Sequence, residues 1–208
     1  MDIDGMHKMG DMACVGALVG FLSIAAQAVA EEFVSQYTSA DMRKCKKISE
    51  PAEPSAAWVC KGVAGYLVWV GDSDWRARVS VGRSVKAAEH ERAAEQFLPS
   101  VNVASRTVEW RSVKGGAKPF AIIQRWHILD PEDRDKDAKP RTRDVLIVTR
   151  LPPGGVCHVA YIDATANREA NVLARQAADG IARNFDCAND KVGVIGDRGP
   201  AIEIIGNP

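Results

Sequence analysis

Residues 157–187, CHVAYIDATANREANVLARQAADGIARNFDC, carry one strand, one helix and a cysteine at each end. Cys157 to Ile162 is apolar on both alternating sets, Val159 and Tyr161 against Ala160 and Ile162, which predicts a strand covered on both faces. Asp163, Thr165 and Asn167 are helix-capping residue types, and Glu169 falls where a first turn favours an acid. Ala170, Leu173, Ala174, Ala177, Ile181 and Phe185 then recur at spacings of three and four, one buried stripe. Arg168, Arg175, Gln176, Asp179 and Arg183 lie mostly off that stripe and read as solvent-facing. A helix of about 19 residues runs roughly 28 Å, so a bond between the two cysteines requires the helix to double back across the sheet.

Working outward, the chain has 208 residues, enough for one domain with its own core. Lysine plus arginine equals aspartate plus glutamate at 27 each, which gives no case for a nucleic-acid partner. The apolar run Val15 to Ala26, followed by Ala28-Val29-Ala30, fits a secretory leader cleaved after Ala30. It falls short of the roughly 20 residues of a membrane span, so no stable span is expected once residues 1–30 are removed. Asp2, Asp4 and Asp11 depart from the usual positive leader, and a start at Met6 would remove two of them. Cleavage leaves 26 basic against 24 acidic side chains and four cysteines, Cys45, Cys60, Cys157 and Cys187. An even count in an exported chain reads as two disulfides. Of three possible pairings, Cys45 with Cys60 and Cys157 with Cys187 is expected because each brackets a local segment. No C-x-x-C and no histidine at ligand spacing favours a metal instead.

Glu31 to Asp41 reads as a polar opening segment, 43–47 as a basic loop and 50–55 as a proline loop. Strands are expected at Ala57 to Lys61, Tyr66 to Val70, Arg76 to Val81, Thr107 to Val113, Phe120 to Leu129 and Asp144 to Leu151, with a turn at Gly71 to Asp74 and a hairpin at 114–119. Lys86 to Leu98 has the composition of a surface helix. Asp130 to Arg143 contains no apolar residue larger than alanine or proline and is expected as a solvated loop or a disordered tip. The expected fold is therefore α+β: an antiparallel meander of about six or seven strands with a C-terminal helix on one face. The domain spans 31–190, and 191–208 is a Gly-rich tail that is either an edge strand or loose.

The chain resembles a family of small exported alphaproteobacterial proteins, rhizobial in type, with four cysteines after leader removal. The residues that carry the resemblance are Tyr37 to Ser39 leading to Cys45, the Cys60 to Tyr66 stretch, Val108 to Arg111, Pro119 to Trp126, and Cys157 to Ala164 with Ala166, Asn167 and Asn171. The resemblance implies export but assigns no activity, so no catalytic residue is carried over.

No nucleophile elbow, zinc-protease, phosphate-loop or dinucleotide motif is present. The Asp133, Asp135, Asp137 spacing opens like a calcium loop, but Ala138 replaces the glycine and five basic residues offset the charge. Neither a metal nor a cofactor is expected. Trp110, Arg111, Arg125 and Trp126 are the candidate binding patch, since tryptophan with arginine is the composition of binding hot spots. The functional expectation is a periplasmic or secreted, non-enzymatic binding module for a protein or cell-wall component. The alternative is a hydrolase that uses a carboxylate or one of His90, His127 and His158 in a cleft.

Overall fold

A computed structural model describes residues 31–49 and 55–206. The leader read at 1–30 and most of the proline loop lie outside the described residues. The fold is α+β, but the sheet is larger than a six- or seven-strand meander. Its ten strands are β1 (Phe33–Ser39), β2 (Lys46–Lys47), β3 (Ala56–Lys61), β4 (Leu67–Ser73), β5 (Arg76–Gly82), β6 (Asn102–Val113), β7 (Pro119–Arg134), β8 (Pro140–Arg150), β9 (His158–Asp163) and β10 (Gly193–Val194). The order is β10-β9-β8-β7-β6-β5-β4-β3-β2, with β1 also on β6.

Besides β1, which lies on β6 instead of β2, the antiparallel order breaks in two places, for one reason. Between β5 and β6 the chain forms α1 (Val85–Glu89) and α2 (Arg92–Glu95), and the strands they connect meet in parallel at Arg76 and Asn102. A helical crossover is what parallel neighbours require. The chain after β9 likewise passes through a helix before β10 pairs parallel to β9. The single helix expected over 86–98 is split at His90–Glu91, where the Glu91 carboxylate leaves the helix to accept the Val156 N–H at 2.7 Å.

Three further expectations are corrected. The polar segment FVSQYTS forms β1 because ladder hydrogen bonds to β6 do not depend on side-chain polarity. The charged 130–143 stretch is a ribbon, with β7 continuing to Arg134 and β8 starting at Pro140. Arg143 bridges Asp130 and Asp133 across it, so ion pairs replace the missing apolar face. The Arg143 guanidinium holds the Asp130 carboxyl below its ordinary value. The tail is not loose: its first part supplies the edge strand β10, the expected alternative, and its second part forms an unexpected helix, α4 (Pro200–Ile205), that buries Ala201, Ile202 and Ile205.

The sheet has two covered faces. One cluster joins Val68 and Val70 of β4, Val79 and Val81 of β5, Trp110 of β6, Ile122 and Trp126 of β7, Val145 and Ile147 of β8 and Ile202 of α4. The opposite face puts Ala121, Ile123, Leu146, Val148, Ala160 and Ile162 under α3 (Ala170–Ala177). A π-helical turn at Ala178–Ala182 continues α3. The wide turn rotates the stripe, burying Ala178 and Ala182 and leaving Ile181 exposed where an unbroken helix would bury it. Nor does any of the three expected caps serve α3, whose N-cap is Glu169 with no side-chain bond. The two disulfides are Cys45–Cys60 and Cys157–Cys187, as the local pairing requires.

His158 is enclosed, with Nδ1 against the Tyr161 hydroxyl at 2.8 Å and Nε2 without a partner among the described residues. Burial lowers its pKa from 6.5 to about 3 and raises that of Tyr161. Between those two values an unfolded His158 binds a proton that the folded one refuses. Its contribution is therefore complete above pH 6.5 and declines by about 1.4 kcal/mol per pH unit below it, until the folded value is reached. His158→Gln should flatten the fall in urea midpoint between those limits; a variant with the wild-type slope would contradict this role.

Candidate functional site

The expected binding patch does not assemble. Trp110 and Trp126 are 0% and 1% exposed and point into the main cluster, while Arg111 and Arg125 occupy the opposite face. Alternation along each strand imposes this separation: a tryptophan and an arginine adjacent in sequence emerge on opposite sides of the sheet. Arg111 is committed to Asp179 of the π turn through Nε at 3.0 Å and Nη2 at 2.6 Å. Arg175, expected in solvent, donates from Nε to Glu109 at 2.6 Å. The Ser35 hydroxyl joins these pairs, accepting from Arg111 at 2.6 Å and donating to Glu109 at 2.5 Å. The network clamps α3 to β6 and β1. Its interaction with Glu109 raises the pKa of Arg175, so this cation is permanent.

Beyond the clamp the same face is uncovered. Along β7 the residues on this side are Ala121 and Ile123 beneath α3, then Arg125, His127 and Leu129. At about 3.4 Å per residue, Ile123 to Leu129 spans roughly 20 Å. Two cavities lie along this trough. The first, of ≈ 340 Å³, is bounded by Tyr37, Glu109, Arg125, Asn171 and Arg175. The second, of ≈ 350 Å³, is bounded by Trp75, Val101, Val103, His127, Leu129 and Thr142. Between them Asp144 accepts from Arg125 at 3.1 Å and pairs with the His127 ring at 2.7 Å.

Trp75 closes the far end of the trough and is the residue that sequence reasoning missed. The turn expected at Gly71 to Asp74 lies further along, because β4 runs to Ser73 and the reversal is made by Asp74 and Trp75. Both adopt positive φ, 52° and 62°. A two-residue turn with both centres left-handed favours Asn-Gly, and a bulky side chain there is strained. Buried Asn102 holds it in place: its N–H donates to the Trp75 carbonyl at 2.9 Å, and its Oδ1 accepts from Ala77 N at 3.1 Å. The indole is 77% exposed, next to Val101 and Val103 at 44% and 47%. An aromatic residue directly after Asp72-Ser73-Asp74 was the available signal.

The histidines are separated. His90 is exposed against the Lys86 carbonyl, His158 is enclosed, and His127 lines the trough without a hydroxyl or thiol bonded to its ring among the described residues. Among the described residues no three His, Cys, Asp or Glu side chains are placed to hold a metal ion, and no helix is long and apolar enough to cross a membrane. No family model, curated protein or solved structure matches the chain.

Proposed function

We propose that the chain is an exported, non-enzymatic binding module of the bacterial periplasm or cell surface that takes an extended protein or cell-wall segment along the β7 trough, with Trp75 as its anchor. The observation that carries this reading is an exposed indole kept in a left-handed turn by a buried asparagine. Strain of that kind persists where the surrounding structure enforces it and is concentrated at functional sites. A contiguous exposed apolar patch rimmed by polar residues, here Trp75 with Val101 and Val103, is a mark of an interaction surface. The two disulfides support an oxidising compartment. The resemblance to small exported alphaproteobacterial proteins is proposed on the same footing.

The test is co-sedimentation of the mature chain with purified envelope and cell-wall fractions. Trp75→Gly should weaken binding about tenfold or more. The same change should leave fold stability within about 1 kcal/mol of wild type, because relief of the positive φ offsets the loss of the indole's remaining burial. Val103→Lys, which places a cation in the trough without touching the core, should weaken binding without shifting the urea midpoint. Binding unchanged by both variants would refute the assignment.

A further inference from the structure

Trp75 and Asp72, which both line the second cavity of the trough, also border a third, of ≈ 320 Å³, bounded by Ala56, Trp58, Asp72, Asp74 and Trp75. Strand register builds it. Ala56 stands opposite Asp72, and Trp58 stands opposite Val70, so Trp58 and Asp72 are diagonal neighbours on one face. Ala56 has no side chain beyond Cβ, which leaves the floor between them open. The bounding side chains are therefore two indoles, two carboxylates and a methyl group, with no cation among them. Arg76 reaches Asp74 at 3.3 Å, through an ion pair whose carboxylate is largely exposed. Asp72 is half-buried and makes no side-chain hydrogen bond or ion pair among the described residues.

We propose that this cleft binds an organic cation, a methylated ammonium group held between the faces of Trp58 and Trp75 with Asp72 as its counter-ion. The inference rests on the reading of Trp75 as a ligand-facing residue, but not on the trough. Indole faces attract cations through the ring quadrupole, and enclosure of quaternary ammonium groups by aromatic side chains is a recurrent use of that attraction. A methylated ammonium suits an apolar wall better than a metal ion or a primary amine, because its charge is weakly hydrated and its methyl groups bury against the rings. Unneutralised Asp72 supplies charge complementarity and disfavours anions.

The experiment titrates the mature chain with choline and follows the indole N–H resonances of its five tryptophans. Two of them, those of Trp58 and Trp75, should move saturably, while the enclosed Trp110 and Trp126 stay still. Asp72→Asn, which preserves shape and removes charge, should weaken binding about tenfold. The neutral carbon isostere, in which a tert-butyl group replaces trimethylammonium, should bind weakly or not at all. Three results would overturn the proposal: no saturable shift with choline, an equal response to the neutral isostere, or a response only to oligosaccharides of N-acetylglucosamine. The trough is judged separately, since Val103→Lys should impair envelope binding and leave the choline titration unchanged.

Discussion

Cys187→Ser should remain folded but lose about 3 to 4 kcal/mol of stability, the chain-entropy estimate for a bridge of this separation. The two cysteines are 30 residues apart and enclose β9, α3 and its π-helical turn. Reduction frees that whole segment in the unfolded ensemble. The native segment has other fasteners: Arg150 donates to the Phe185 carbonyl and Arg92 to the Cys187 carbonyl. Far-ultraviolet circular dichroism should therefore be retained while the urea midpoint falls. Cys157 is buried, so its freed thiol should react only when the chain opens, and its labelling rate becomes a direct readout of that opening. Cys45→Ser opens a loop of 15 residues and loosens only the 41–45 turn, so it should cost less. An unchanged midpoint in Cys187→Ser, or immediate thiol labelling of the native variant, would contradict the argument.

What could be read in the sequence was whatever depended on local pattern. The 157–162 strand is apolar on both faces and lies between α3 and the main cluster, and the cysteine spacing is matched by both bridges. What could not be read depended on pairing. β1 and β2 have no apolar alternation, and only a partner strand makes them strands. Arg175 and Asp179 look solvated on a helical wheel, yet Glu109 and Arg111 wait for them on the sheet. Trp110 and Trp126 looked like a binding surface by composition, whereas Trp75 is made available by two left-handed residues and an asparagine 27 positions later. Backbone handedness leaves little trace in composition when the turn uses Asp-Trp in place of Asn-Gly.

Asp163→Ala should cost about 3 to 5 kcal/mol, among the largest effects of any single change in this chain. The carboxylate is fully buried at the end of β9. Its Oδ1 accepts from the N–H groups of Thr165 and Ala166, both at 2.9 Å, shaping the turn that leads into α3. Its Oδ2 accepts from Ala201 at 2.9 Å and Ile202 at 3.3 Å, the donors that open α4, of which Ile202 also reaches the Gly199 carbonyl at 3.0 Å. One side chain thus anchors segments that cover opposite faces of the sheet. Gly199 makes the approach possible: a Cβ there would lie 2.9 Å from Oδ2 and 2.6 Å from the Ala166 methyl. Alanine at 163 would leave the Thr165, Ala166 and Ala201 donors without their acceptor and Ile202 with the Gly199 carbonyl alone, and α4 would lose a contact that holds it beside the main cluster. Asp163→Asn should lose less, because its carbonyl still serves one pair of donors while its amide faces the other. Urea unfolding at neutral pH measures the cost, and hydrogen exchange at Ala201 and Ile202 locates it. A wild-type midpoint with protected amides in Asp163→Ala would show that α4 is held by apolar packing alone.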